Sequence, residues 1–167
     1  LVLKENHARL GKPDTAQEAP GLRAQVEQVL YYAGDAAYAK KQFDAARTHW
    51  EALLKEFPET KLKPDAAEGL GWIAFEAGQF EAARGHFSVT AGAAGHPKAA
   101  ASQVLIARCA QKLGRTDEAL AALDKAAALP GGKEQAHAAL LCRASFLAQA
   151  KRFDEALPHF QALAKDF

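Results

Sequence analysis

Six histidines and two cysteines in 167 residues raise metal chemistry first. Three of the histidines, His49, His86 and His159, occupy one position of an internal repeat of 36 or 37 residues. Equivalent positions on successive helical repeats lie about 10 Å or more apart, whereas every ligand of one zinc lies about 2 Å from it. The three cannot share an ion, and the expected role of each is a polar residue on the outer side of a helix. Cys109 and Cys142 fall on neighbouring copies of the repeat, about one helical turn out of phase. Helix axes roughly 8–10 Å apart exceed the Cα separation of about 7 Å that a disulfide allows, so two buried free thiols are expected. Pro130-Gly131-Gly132-Lys133 lacks the hydroxyl of a phosphate-binding loop and reads as a turn. No nucleophile, base and orienting group can be brought together by spacing. The expectation is a protein that is not an enzyme, with no catalytic residue, metal or cofactor.

The chemistry that spacing does support is recognition. Tyr31, Asp35 and Tyr38 stand at i, i+4 and i+7, which places them on one helical face. That face is well separated in angle from the apolar stripe Leu30, Ala33, Gly34 and Ala37. One repeat later the same positions hold Glu68, Trp72 and Phe75, with Glu76 beside them. The third copy supplies Arg108, Gln111 and Lys112, and the fourth Ser145 and Gln149. Aromatic anchors beside charges are what peptide interfaces favour. The competing expectation for Tyr38 and Phe75 is that they pack between neighbouring first helices.

The elements that must position these residues are copies of one helix-turn-helix. The quartet Phe80-Glu81-Ala82-Ala83 returns as Phe43-Asp44-Ala45-Ala46, Thr116-Asp117-Glu118-Ala119 and Phe153-Asp154-Glu155-Ala156. Its last alanine, the marker, falls at 46, 83, 119 and 156, giving periods of 37, 36 and 37. Twelve residues before each marker is a small residue (Gly34, Gly71, Ala107, Ala144), and four after it a large apolar one (Trp50, Phe87, Leu123, Phe160). The small residue lets two helices approach, and the large one fills their seam.

Leu70-Gly71, Ala83 with Phe87, and Ala46 with Trp50 and then Pro58 resemble the tetratricopeptide repeat. The likeness covers residues 27 to 167 in four copies. Ala37, Ala74, Ala110 and Leu147 depart from it where the family often has Tyr, and only the first copy carries the closing Pro. The periods exceed the usual 34, and the extra residues are expected in the loops between repeats. The resemblance implies an all-α fold, a right-handed α-α superhelix of about four helix-turn-helix repeats. It also implies that the first-helix positions line a concave groove that receives peptides. Tyr31, Asp35, Tyr38, Glu68, Trp72, Phe75, Arg108 and Lys112 are then the partner-binding residues. Where one branch of the family carries a Lys and Asn clamp for chaperone C-termini, this chain has Asp35, Trp72, Ala101 and Leu105, so chaperone docking is not expected. Leu54-Lys55-Glu56-Phe57-Pro58-Glu59-Thr60, followed by Asp65-Ala66 and Leu70-Gly71, is similar to repeats of bacterial envelope proteins of the Tol-Pal associated and outer-membrane assembly lipoprotein type. That likeness implies the bacterial periplasm or cell envelope.

The bulk numbers agree with a helical interaction protein. The chain is 49% hydrophobic, rich in Ala and without Met, which favours closely packed helices. Its 21 basic and 20 acidic residues leave a net charge of +1, favouring neither nucleic acid nor an anionic membrane. No apolar run approaches the length of a membrane span, so no membrane insertion is expected. Residues 1 to 21, broken at Pro13 and Pro20, are expected to form an irregular arm or linker, and residues 22–167 the repeat domain. Repeats are expected at 27–63, 64–99, 100–136 and 137–167. The start at Leu1 suggests a piece of a longer protein or a mature form. The last helix offers Leu157, Phe160, Leu163 and Phe167, which suggests either that the parent continues or that this end meets another molecule. The chief reading is therefore a module that binds a peptide segment or partner helix. The alternative is a structural scaffold that self-associates through its C-terminal helix or belongs to a longer solenoid.

Overall fold

The computed structural model describes residues 19–130 and 132–165. Among them are eight helices and no strand: α1 (Ala19–Ala39), α2 (Phe43–Glu56), α3 (Lys63–Glu76), α4 (Phe80–Gly92), α5 (Ala99–Lys112), α6 (Thr116–Ala128), α7 (Gly132–Gln149) and α8 (Phe153–Lys165). The fold is an all-α solenoid of helix pairs. The expected arm is shorter than residues 1–21, since α1 begins at Ala19 and runs through Pro20. A proline in the first turn forfeits an N–H that has no helical acceptor there, so it starts a helix rather than breaking it. The remainder of the expected N-terminal arm, residues 1–18, lies outside the described residues.

The four turns inside the helix pairs are built alike. The residue five before each marker has a left-handed backbone: Lys41 (φ 58°), Gly78 (φ 73°), Gly114 (φ 74°) and Lys151 (φ 60°). The next N–H then closes back on the first helix, Gln42 on the Ala37 carbonyl at 2.9 Å and Gln79 on Ala74 at 2.8 Å. Arg115 on Ala110 and Arg152 on Leu147 repeat this at 2.9 Å. This is the six-to-one bond of a Schellman cap. Glycine adopts that backbone freely, whereas the two lysines hold it at some cost. The second helices start directly afterwards, with Asp44, Glu81, Asp117 and Asp154 in their first turns. Acids there complement the helix dipole.

The chain divides into two compact units, at Gly69 and Leu70 within α3. In the first unit, the buried Trp50 ring of α2 stands between glycines on two helices. A Cβ on Gly34 of α1 would lie 2.6 Å from Trp50 Cδ1, and one on Gly69 of α3 would lie 2.5 Å from Cζ3. The glycines are therefore there for space. Trp50 Nε1 is buried without an acceptor, so shape rather than hydrogen bonding holds the ring. Val26, Leu30, Ala46, Leu53, Phe57, Ala66 and Ala67 complete this core. The Thr60 hydroxyl donates to the Glu27 carboxylate and accepts from the Leu62 N–H at 3.1 Å, tying the loop after α2 to α1.

The second unit packs α4 on α5, α5 on α6, α6 on α7 and α7 on α8, with α5 also touching α7. Phe87 of α4 sits with Ala74, Ala83, Leu105 and Cys109, and a Cβ on Gly71 would lie 2.6 Å from its ring. Leu123 of α6 sits with Val104, Ala107, Ala119, Ala139 and Phe146, and Ile106 packs against both clusters. The seam rule thus holds at Trp50, Phe87 and Leu123, which are 2%, 0% and 1% exposed, and not at Phe160, which is 41% exposed. Of the residues expected on the open face of α8, Leu157 and Phe160 are exposed and Leu163 is buried; Phe167 lies outside the described residues.

Arginines mark the turn edge of this unit. Arg115, just before α6, reaches Glu81 of α4 at 3.1 Å, and Arg152, just before α8, reaches Asp117 of α6 at 2.6 Å. Arg84 bridges Glu81 and Glu118 at 2.5 and 2.8 Å. Arg152 also binds both oxygens of Glu155 at 2.7 Å, which holds that carboxyl below its usual range. Between α4 and α6, above α5, lies a hollow of about 430 Å³ lined by Gly85, Gln103, Ile106, Ala121, Ala122 and Lys125, among others. Nothing approaches within 4 Å of a Cβ built on Gly85. Gly85→Ala is therefore expected to raise stability by about 0.5–1 kcal/mol through helix propensity alone, read as a higher denaturation midpoint; a lower midpoint would show that the hollow does not admit the methyl.

Candidate peptide-binding face

Each expected site residue is on a first helix, where its spacing put it. In the first unit, Tyr31 of α1 is half-buried and its ring meets Tyr32 edge-on at 5.3 Å. Asp35 is exposed one turn on. Tyr38 is half-buried against Phe43 at 5.5 Å and Trp50 at 5.8 Å. Both of these rings are on α2, the second helix of its own repeat. Glu68 of α3 is half-buried.

In the second unit the site residues form one constellation. Trp72 and Phe75 of α3 meet edge-on at 6.0 Å. Trp72 also rests on the core ring of Phe87 at 5.7 Å, and Phe75 on Phe80 of α4 at 5.3 Å. Both rings are half-buried, with one side seated on the core and the other at the surface. Phe75, like Tyr38, packs across its own turn, as the quartet residues Phe43 and Phe80 dictate. Arg108 of α5 places its guanidinium 5.6 Å from the Phe75 ring centroid, within cation–π range. Lys112 follows at i+4, exposed in the last turn of the same helix. The Gln111 amide donates to the Gln149 side chain, joining the ends of α5 and α7 on this side.

Charge separates this face from the rest of the unit. Among the described residues, Arg84, Arg115, Arg143 and Arg152 each pair with a carboxylate, and Arg108 pairs with a ring instead. A guanidinium whose partner is an aromatic face keeps N–H donors for an incoming acceptor. The arrangement offers an apolar shelf beside two cations, and what it can do chemically is bind a carboxylate next to an apolar group. Sequence spacing placed these side chains on one face. It missed the Arg108 stack and the support from Phe80, for which the signal was the aromatic opening the quartets of the first two copies.

The remaining candidates for chemistry are dispersed. His49, His86 and His159 are half-buried, and among the described residues no three His, Cys, Asp or Glu side chains group as a metal site. Cys109 and Cys142 are both free thiols; Cys109 is buried as expected, but Cys142 is half-buried because it lies at the edge of the Leu123 cluster. Burial pushes the Cys109 thiol from 9.0 up to about 11, so it is protonated at neutral pH. Its contribution to stability is complete below about pH 9 and is lost as pH rises towards 11. No described helix is long and apolar enough to cross a membrane.

A family model, tetratricopeptide repeat, matches residues 31–97, 88–134 and 104–167. Among solved structures, a tetratricopeptide repeat protein from Parabacteroides merdae superposes with a TM-score of 0.72 at 20% identity, covering 84% of this chain and 53% of its own. The chain thus spans about half the length of that protein. MamA from Desulfovibrio magneticus RS-1, as a fragment from residue 41 to its end, gives 0.71 at 17% identity, covering 98% of this chain and 90% of its own. MamA of strain AMB-1 gives 0.70 at 22%, covering 98% and 86%. At these identities the likeness is one of fold. Among curated proteins, none matches this sequence.

Proposed function

Because the chain belongs to the tetratricopeptide repeat family, whose repeats generally mediate protein–protein interaction, we propose that it binds a peptide segment or partner helix along its first helices, in the concave groove the family uses. Trp72 and Phe75 are the apolar anchors, and Arg108 and Lys112 the charge readers. Tyr31, Asp35, Tyr38 and Glu68 are the corresponding residues of the first unit. The observation that carries this reading is Arg108, which lies over Phe75 and, among the described residues, has no ion-pair partner, in a unit whose other arginines are ion-paired. The preferred ligand presents an acidic residue close to a bulky apolar one.

The test is peptide display selected on the folded chain and, in parallel, on an Arg108→Glu, Lys112→Glu variant. Wild type is expected to enrich sequences with an acid near an aromatic or aliphatic residue. Reversing two charges at an interface should cost these peptides at least tenfold in affinity, since a directly engaged charge pair is worth about 2 kcal/mol or more. Equal enrichment on both proteins, or none on wild type, would overturn the assignment.

A further inference from the structure

The inner seams of the solenoid share one rule. The large residue four after each marker is covered by the following helix pair, at the position fourteen before the next marker. Trp50 meets Gly69 there, Phe87 shares its cluster with Leu105, and Leu123 shares its own with Cys142. Two members of this series are uncovered. Phe160 of α8 fills the first role and is exposed, with Leu157 and Phe153 at one and two helical turns along the same face. Tyr32 of α1 fills the second, fourteen before Ala46, and is 62% exposed beside Val29. A shallow hollow lined by Gln25, Gln28, Val29, Tyr32 and Ala33 adjoins it.

We propose that the α8 face of one copy docks on the α1 face of a second copy, head to tail, with Phe160 against Tyr32. Both patches are uncharged at their centres, and each is the half-seam that the other lacks. What covers this position at every inner seam is the first helix of a repeat of this frame, and α1 is such a helix with its covering residue unused. An aromatic pair there gains edge-on contact at centroid distances of about 4.5–7 Å, and Tyr31 already braces the Tyr32 ring. The polar edge matches too. Arg115 and Arg152 reach the acid two before the preceding marker. At the open end that acid is the exposed Asp154, and the residue in the arginine position of the first copy is the exposed Gln42, whose amide can donate to it. Such an interface is heterologous, so every added copy leaves one face of each kind open. Of the residues named here only Tyr31, which supports Tyr32 from the side, also belongs to the proposed peptide-binding set; Tyr32, Leu157 and Phe160, the positions varied below, do not.

Sedimentation of the 167-residue chain across a concentration series tests this. Wild type is expected to rise above its 17.9 kDa single-chain mass to the dimer and beyond. Tyr32→Glu and Phe160→Glu, each confirmed folded by circular dichroism, are expected to remain single chains alone. Mixed in equal amounts they should form a species of twice the chain mass and nothing larger, because each retains the face the other has lost. Leu157→Glu should behave as Phe160→Glu does, which guards against a local effect of one substitution. A wild type that stays monomeric throughout overturns the proposal, as does a mixture with no dimer, or self-association of either variant on its own.

Discussion

Replacing Phe87 with alanine is expected to destabilise the second unit by about 3–5 kcal/mol, a fall in melting temperature of about 10 °C for a chain of this size. The ring is fully buried among Ala74, Ala83, Leu105 and Cys109, with Trp72 edge-on above it. Ala74, Ala83 and Gly71 have no side chain long enough to swing into the space, and Leu105 and Cys109 are themselves held in the buried cluster. The cavity therefore stays open and the cost lies towards the top of the range. Phe160 provides the control, since it has the same residue type at the same repeat position. It is exposed, and its replacement by alanine should cost about 0.5 kcal/mol or less in the isolated chain at low concentration. Urea denaturation of both variants decides the matter. Comparable losses at the two sites would show that repeat position, not burial, sets the energetics.

The second large effect is a clash. Gly34→Ala is expected to destabilise by about 1–3 kcal/mol, although alanine is the better helix former by about 1 kcal/mol. The added methyl would meet the Trp50 ring, which is held on its far edge by Gly69 and cannot retreat. The third copy shows the tolerated alternative, Ala107 with Leu123 in place of glycine with tryptophan. Trp50→Leu alone should be strongly destabilising, because the smaller side chain leaves a cavity. Adding Gly34→Ala to it should cost nothing further, and should even return part of the helix-propensity gain. A double-mutant cycle with a coupling of about 1 kcal/mol or more would confirm the pairing, whereas simple additivity would rule it out.

These two predictions show what the sequence carried. The pairing of a small residue twelve before the marker with a large one four after it is a local spacing rule, and the structure realises it in three seams. The helix bounds were legible for the same reason, since quartets, glycines and prolines punctuate the chain. The left-handed turns at Lys41 and Lys151 were not, because no glycine signals them and only the cap bonds onto Ala37 and Leu147 impose them. Nor was the second glycine against Trp50, because Gly69 acts across a seam between repeats, which periodicity within one copy does not describe. Leu163 was read with the open face of α8, but it falls seven after its marker, where Leu53, Thr90 and Ala126 of the other copies are buried as well. In the candidate site, the shared face came from spacing. The contact of Arg108 with Phe75 did not, because it depends on where two residues 33 apart in the chain, on different helices, meet.

The arginine rungs have a consequence for how such a chain can be lengthened or rearranged. Each exposed rung adds little stability, about 0–1 kcal/mol, yet each requires an acid on the unit before it and a guanidinium on the unit after. Copies three and four carry that guanidinium, as Arg115 and Arg152, while copies one and two have Gln42 and Gln79 in its place. The modules are therefore keyed rather than interchangeable. A tandem duplication of the last copy would present Asp154 to a new arginine and extend the series as an ion pair, whereas a first copy in that place would offer the neutral Gln42 amide, a hydrogen bond that salt does not screen.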